Sequence, residues 1–301
     1  MKLGILFTSR NNYDLLDYWL TKVNTNNIFI LNIDEDSTIE NKDKGRMICD
    51  KHNITYMDRE ERGMQNNITS ACSIFKNNNL EWILWFQHDC FPVEENFFEK
   101  FNNLLEKNNF NEFGVVGFNV YHDGVYQMLS RSPLQQPNHD MWVRYNINQS
   151  LSNGYEKIHS VESVSWMSAA VNINQYEKHI KPTGDYQFFH AWDDIAYQFL
   201  YKNIHNVCIP FLNLSHEQIV KKDFNMPVKS PLAKTKQETE IREHFYGKWG
   251  HHEVWSKRWG FEYDNNQTYE EVKEHYQGTL INDFYNNNVN NGPLKTFEYD
   301  K

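Results

Sequence analysis

From residue 3 to residue 212 the sequence alternates between short apolar segments and longer segments with apolar residues at helical spacing. The short segments predict strands, at residues 3–8, 28–33, 54–57, 82–86, 115–120, 161–173 and 207–212. The longer segments predict helices at residues 13–23, 42–52, 63–75, 94–106 and 193–202. This alternation predicts a mostly parallel sheet with helices on both faces. Ligands of such sheets bind beyond the carboxyl ends of the strands, so the residues that follow each strand are candidates for a functional site.

The remaining sequence is less regular. Residues 121–157 are rich in Asn, Gln, Ser and Pro without a sustained period, which predicts a long loop or an irregular hairpin. After residue 224 two segments with helical spacing are rich in Trp and Tyr, and residues 286–291 are Asn-rich, which predicts disorder. We therefore expect one domain over residues 1–225, followed by a helical, aromatic-rich appendage with a disordered tail over residues 226–301.

Charge and composition exclude several classes of protein. The net charge of -10 argues against nucleic acid as the main partner, because such binding needs clustered Lys and Arg. The four cysteines form no CxxC pair and are expected to be reduced and mostly buried. Every apolar run is too short to span a membrane, so we expect a cytoplasmic protein.

The most informative stretch is the apolar segment 82–86 with the polar residues Gln87, His88 and Asp89 behind it. A carboxylate at the carboxyl end of a strand can hold a metal-bound diphosphate in an open α/β sheet. The alternative is that Asp89 caps the helix predicted after it, or forms a surface salt bridge.

This stretch resembles the DxD-type motif of GT-A glycosyltransferases, especially inverting family-2-like members, in which an apolar strand ends in two or three polar residues, the last an Asp. Here the motif has one carboxylate instead of two or three. The resemblance implies that Asp89 binds a divalent metal, Mn or Mg, and that it needs the phosphates of a nucleotide-sugar donor and another side chain as further ligands.

A second match is the acidic pair Asp193 and Asp194, which resembles the pair that opens a helix in the same family. A carboxylate of such a pair can take a proton from an acceptor hydroxyl. The resemblance gives Asp194 as the base and Asp193 as the alternate. Helix capping and a favourable placement at the helix dipole are the simpler explanation of two acids in a first turn.

Two further matches complete the order of motifs. Segment 162–173, with Trp166 and Ser168, stands where the family has a strand and a small-residue loop beside the donor sugar, although small residues also occur wherever a strand packs closely. His216, just past the last predicted strand, stands where several GT-A enzymes place a metal or phosphate ligand, and it could supply the ligand missing beside Asp89.

The resemblance also implies a set of donor-binding residues at the strand ends, each of which could by itself be ordinary turn chemistry. Besides Trp166 and Ser168, they are Thr8, Ser9 and Arg10 after the first strand, Asp34 and Asp36 after the second, Gly63 and Asn67 at the next helix start, and Gln87 and His88.

The resemblance implies a GT-A glycosyltransferase that moves a sugar from a nucleotide-diphosphate donor to a hydroxyl of a glycan or another acceptor, with inversion. The alternative is a non-catalytic GT-A-like domain that binds a nucleotide or glycan. A sugar-phosphate nucleotidyltransferase would have a Gly-rich, Arg-containing signature after the first strand, where this chain has Thr8-Ser9-Arg10-Asn11-Asn12.

Overall fold

The computed structural model describes residues 1–122, 125–128, 157–161, 163–164, 167–182, 191–216, 278–280 and 295–300. The strands in these residues are β1 Leu3–Ser9, β2 Ile30–Glu35, β3 Thr55–Arg59, β4 Trp82–Phe86, β5 Cys90–Pro92, β6 Phe113–His122, β7 Val125–Met128, β8 Ile158–Val161, β9 Ser168–Asn172, β10 His205–His216 and β11 Thr296–Phe297. The α-helices are α1 Tyr13–Lys22, α2 Ile39–Lys51, α3 Met64–Asn77, α4 Phe97–Lys107, α5 Ile173–His179 and α6 Ala191–Tyr201.

The strands form one mixed sheet in the order β11-β8-β10-β6-β9-β4-β1-β2-β3, with β5 also paired to β10 and β7 to β6. Neighbours within β3-β2-β1-β4 are parallel, and so are β6 and β10. β9 lies antiparallel between β4 and β6, so those two strands still point the same way. The predicted mostly parallel sheet is therefore confirmed.

Both faces of the sheet are covered by helices, as the sequence predicted. In β4, Ile83 and Trp85 point into one core with α3, α5 and α6. The alternate residues Trp82, Leu84 and Phe86 point into a second core with α1, α2 and α4. All five residues of β4 are buried, because a central strand covered on both faces has no solvent side.

The prediction of one strand over residues 161–173 is wrong. β8 ends at Val161 and pairs antiparallel with β10, whereas β9 runs from Ser168 to Asn172 between β4 and β6. At Asn172 the chain enters α5, where the side chain accepts a hydrogen bond from the Gln175 N–H at 3.1 Å. Polar and apolar residues are interspersed between β8 and β9, as in a half-buried strand, so the pattern alone did not show where β8 ends.

The helix predicted over residues 94–106 begins later, at Phe97. The chain first forms the three-residue strand β5, and the Glu94 side chain accepts hydrogen bonds from the backbone N–H and the Nδ2 group of Asn213 at 3.2 and 2.6 Å. Glu94 therefore holds the end of β5 to β10, which is a tertiary role that helix periodicity cannot predict.

The four cysteines are buried free thiols, as expected. No helix in the part of the chain that the structure describes is long and apolar enough to cross a membrane. The predicted appendage helices, the boundary at residue 225 and the Asn-rich segment 286–291 lie outside the described residues. Thr296 and Phe297, within the range predicted for the appendage, form β11, which pairs with β8.

Candidate active site

Asp89 and His216 meet beyond the carboxyl end of β4. The chain leaves β4 through a turn in which the Cys90 N–H donates to the Gln87 carbonyl oxygen at 3.1 Å. β5 then pairs antiparallel with the end of β10, which sets Cys90 opposite His216. As a result, the Nε2 atom of His216 lies 3.3 Å from the Oδ2 atom of Asp89, and each side chain is only 3% exposed.

This pair fits the requirements of a divalent metal. Two ligands at roughly 2.1 Å from one ion and at an angle near 90° lie about 3 Å apart, close to the observed separation. One carboxylate and one imidazole suit Mn²⁺, which accepts both oxygen and nitrogen ligands. No group of three or more His, Cys, Asp or Glu side chains occurs among the described residues, so further ligands would come from elsewhere, such as a bound diphosphate.

His88 joins the end of β4 to the loop after β1. The Ser9 hydroxyl donates to the Asn32 Oδ1 atom at 2.6 Å, so the His88 Nε2–H donates to the Ser9 oxygen at 2.9 Å. The Nδ1 atom then accepts from the Asn12 Nδ2 group at 3.1 Å. Burial lowers the pKa of His88 to about 4, although Asp89 acts in the opposite direction. His88 is therefore a neutral imidazole with both ring nitrogens hydrogen-bonded inside the protein.

Asp34 and Asp36 lie in different environments. Asp34 is fully buried, and its carboxylate accepts hydrogen bonds from the Tyr13 hydroxyl and, at 2.9 Å, from the Ser37 N–H. Burial, together with Asp34, raises the pKa of Tyr13, which therefore remains protonated. Asp36 is exposed with a φ of 59° and forms a 2.5 Å ion pair with Arg62.

The loops after β1 and β2 are bonded to each other. The Asn11 N–H donates to the Ser37 hydroxyl oxygen at 3.0 Å, and the Thr38 N–H donates back to the Asn11 Oδ1 atom at 2.9 Å. Asn11 has a φ of 56°, in the left-handed region that Asn tolerates better than most residues. This backbone turn leaves the neighbouring Arg10 exposed.

Glu35 connects the end of β2 to the start of α3. Its Oε1 atom accepts hydrogen bonds from the Gly63 N–H at 3.1 Å and from the Asn67 Nδ2 group at 2.5 Å. Gly63 has a φ of 121°, which favours glycine at this position. Burial raises the pKa of Glu35, while these two hydrogen bonds oppose the shift. The sequence pattern placed Gly63 and Asn67 together but did not identify Glu35 as their partner.

Trp85 connects β1, β9 and α6 near the same edge of the sheet. Its indole N–H donates to the Thr8 hydroxyl oxygen at 3.4 Å, and its carbonyl oxygen accepts from the Ser168 hydroxyl at 2.9 Å. Its ring lies 6.1 Å from that of Trp192, centroid to centroid. The start of α6, with its acidic pair, therefore lies close to the carboxyl ends of β1 and β4.

The two acids of α6 have different partners. The Asp193 Oδ1 atom accepts from the Ser163 hydroxyl at 2.6 Å, and Asp193 is 4% exposed. The Asp194 Oδ2 atom accepts from the side-chain amides of Gln65 and Gln198, each at 2.8 Å, and Asp194 is fully buried.

No protein-family model matches the sequence, and no curated protein matches it either. Solved structures do match. The mannosyltransferase PcManGT from Pyrobaculum calidifontis, solved in complex with GDP-Man and Mn2+, matches with a TM-score of 0.53 and 12% identity over 95% of this chain and 70% of that chain. GalNAc-T7, solved with UDP, GalNAc and Mn2+, matches with a TM-score of 0.57 and 11% identity over 95% of this chain. The match spans 56% of the GalNAc-T7 chain.

The chain has the GT-A fold of glycosyltransferases. In this GT-A sheet the predicted metal residues Asp89 and His216 come together, and the acidic pair lies near the same edge. Other predicted residues hydrogen-bond within the protein, namely Thr8, Ser9, Asp34, Asn67, His88 and Ser168. Arg10 and Asp36 are exposed beside the strand ends, and the Gln87 N–H donates to the Met167 carbonyl oxygen at 3.0 Å. Trp166 lies outside the described residues.

The sequence missed three polar residues that hold the acidic pair of the GT-A domain, namely Ser163, Gln65 and Gln198. Ser163 and Gln65 come from distant segments, so only the tertiary structure brings them to α6. Gln198 lies four residues after Asp194 on the same helix, a spacing at which side chains can meet, and that spacing was the one available signal.

Proposed function

We propose that this chain is a metal-assisted glycosyltransferase that moves a sugar from a nucleotide-diphosphate donor to a hydroxyl group of a glycan or another acceptor, with inversion. UDP-sugars are the first donors to test. The observation that carries this proposal is the buried Asp89–His216 pair at the carboxyl edge of a GT-A sheet. Two structural neighbours were solved with a nucleotide or nucleotide sugar and Mn2+, which supports the same class of ligand.

Asp89 and His216 would hold the metal. A divalent ion at this position supplies positive charge that stabilises the leaving diphosphate. The donor would lie across the ends of β1, β2 and β4, next to the loop containing Arg10 and the start of α3 at Gly63. Ser168 and Trp166 would flank the donor sugar.

A carboxylate of the acidic pair at the start of α6 would remove the acceptor proton. The acceptor oxygen attacks the anomeric carbon of the donor sugar, and the bond from that carbon to the diphosphate oxygen breaks. The proton of the hydroxyl passes to the carboxylate. A positioned general base of this kind contributes roughly 10²–10⁴-fold to the rate.

The second candidate is a GT-A domain that binds a nucleotide sugar without transferring the sugar. The observation that favours it is the reduced motif, in which Asp89 is the single acid of the triplet Gln87-His88-Asp89. A metal site with fewer protein carboxylates leaves more of the coordination to the donor phosphates, which permits binding without efficient turnover.

Two assays on the full chain separate these candidates. Thermal unfolding with a panel of UDP- and GDP-sugars, with and without Mn²⁺, detects binding, because a ligand of the folded state raises the unfolding temperature. Release of the nucleoside diphosphate from the same donors detects turnover. A transferase gives both signals with Mn²⁺, and a binding domain gives only the first. Neither signal with any donor would contradict both candidates.

A further inference from the structure

We propose that the two aspartates of α6 have separate roles, with Asp193 as the proton acceptor and Asp194 as a positioning residue that fixes α6 against α3. The assignment rests on the proposed function. It reverses the order that sequence resemblance implies, in which Asp194 is the base and Asp193 the alternate. The two side chains are neighbours in the sequence, but they contact different parts of the protein.

Asp194 faces the contact between the two helices. Its Oδ2 atom accepts 2.8 Å hydrogen bonds from Gln65, in the first turn of α3, and from Gln198, one turn further along α6. The Gln65 amide also donates to the Ala191 carbonyl oxygen at 3.3 Å, at the first residue of α6. Two amide donors on one oxygen of a fully buried carboxylate fix that side chain between the helices.

The two glutamines that donate to Asp194 form further hydrogen bonds with other parts of the fold. The Gln198 Oε1 atom accepts from the Lys181 N–H at 2.8 Å, which connects α6 to the chain just after α5. The Gln65 carbonyl oxygen accepts from the Tyr176 hydroxyl at 2.8 Å, which connects α3 to α5. Asp194 thus lies at the centre of the polar contacts that join three helices on one face of the sheet.

Asp193 faces the segment between β8 and β9. The Ser163 hydroxyl donates to its Oδ1 atom at 2.6 Å. β9 begins at Ser168, which lies opposite Phe86 at the end of β4, and β4 leads directly to Asp89. Asp193 is therefore held by the segment between β8 and β9, whereas Asp194 is held by α3 and by its own helix.

These contacts suit the two roles. A general base must come within hydrogen-bond reach of the proton that it removes, and a third group commonly orients it. Ser163 orients Asp193 in this way. In addition, Asp193 is 4% exposed, whereas Asp194 is fully buried. Gln65 lies two residues after Gly63, which is on the donor side of the proposed site. The hydrogen bond between Asp194 and Gln65 therefore also fixes the distance between the base and that side.

The isosteric variants Asp193→Asn and Asp194→Asn test the assignment when nucleoside diphosphate release is measured with two nucleophiles. Water must lose a proton when it attacks the anomeric carbon, whereas azide carries no proton and needs no base. We expect Asp193→Asn to lower release with water roughly 10²–10⁴-fold while azide-dependent release stays near the wild-type rate. Asp194→Asn should lower both rates by the same, smaller factor.

The opposite pattern, in which azide restores release by Asp194→Asn but not by Asp193→Asn, would overturn the assignment and leave the transferase function intact. No release by the wild-type chain with either nucleophile would overturn the proposed function itself. The two failures are therefore distinguishable.

A double-mutant cycle on unfolding tests the positioning role without any activity. Gln65→Ala and Asp194→Ala should be non-additive, with a coupling of about tenfold in the unfolding equilibrium constant, because they remove the two partners of one buried hydrogen bond. The matched cycle of Gln65→Ala with Asp193→Ala should be additive within about twofold. Equal coupling in both cycles would contradict a specific role of Asp194 between α3 and α6.

Discussion

The Nε2 atom of His216 lies 3.3 Å from the Oδ2 atom of Asp89, although the two residues come from distant parts of the chain. The contact depends on the three residues of β5, which pair antiparallel with the last residues of β10. Asn213 reinforces this pairing, because its carbonyl oxygen accepts from the Val93 N–H at 3.0 Å and its amide donates to Glu94. A short strand thus completes the proposed metal site.

The neutral state of His88 predicts a pH dependence of stability. Because burial lowers the pKa of His88 to about 4, below the ordinary value of 6.5, the unfolded chain binds a proton between these values while the folded chain does not. The stabilisation is therefore complete above pH 6.5 and is lost as the pH falls towards 4, by about 3 kcal/mol in total.

Urea unfolding of metal-free wild type and His88→Gln at several pH values between 7.5 and 4.5 measures this contribution. Gln can accept from Asn12 and donate to Ser9, as His88 does, but it does not titrate in this range. We expect the stability of the wild type to decrease more than that of the variant as the pH falls, by roughly 2–3 kcal/mol. Parallel pH profiles would contradict a buried neutral His88.

Gly45→Ala should destabilise the fold through Tyr13. A Cβ atom at Gly45 would overlap the Tyr13 ring, whose hydroxyl donates to the buried Asp34. Overpacking of this kind lowers the free energy of unfolding by about 1–3 kcal/mol, and displacement of the Tyr13–Asp34 hydrogen bond adds to this loss. The total loss exceeds the gain of about 1 kcal/mol that Ala gives as a better helix former than Gly. Met47→Ala, at a 72% exposed position of the same helix, is the control, and chemical denaturation should show a change below about 0.5 kcal/mol there. Equal effects of the two variants would be inconsistent with a tight Gly45–Tyr13 contact.

The segment 295–300 should contribute to the stability of the sheet. The Phe297 ring lies 4.9 Å from that of Phe113 and 5.3 Å from that of His205. We expect Phe297→Ala to lower the free energy of unfolding by about 1–2 kcal/mol, as the half-buried ring loses these contacts. The neighbouring Glu298→Ala removes only a surface ion pair with Lys157 and should cost less than about 0.5 kcal/mol. If urea midpoints of both variants equal that of the wild type, β11 does not stabilise the sheet.

Hydrophobic periodicity was sufficient to predict the long, regular elements, including the strand β4, which is buried on both faces of the sheet. The strand at residues 82–86 was predicted with its observed bounds, since a fully apolar run between polar residues leaves little choice of boundary. β5 was missed because three residues have no measurable period and pair only with the distant end of β10. The division of residues 161–173 was missed because polar and apolar residues are interspersed between β8 and β9, as they are in a half-buried strand.

The sequence was sufficient to predict those site residues that lie at the ends of long strands. Asp89 follows a buried strand and His216 ends the last long strand, so their proximity was expected from the order of motifs. The buried role of Asp34 was not predictable, because it depends on the Tyr13 hydroxyl that α1 brings beneath the loop. The same holds for His88, whose partners Ser9 and Asn12 lie on another strand end.

The most direct test of the central claim is Mn²⁺-dependent release of nucleoside diphosphate by wild type, Asp89→Asn and His216→Gln. The assay uses the donor that gives the largest release with the wild type, and the exposed Asp43→Asn serves as the matched control. We expect the two site variants to lose roughly 100-fold or more, because a bound metal contributes several kcal/mol to the stabilisation of the leaving group. The control should keep the wild-type rate. Full Mn²⁺-dependent release by either Asp89→Asn or His216→Gln would contradict a metal site at this pair.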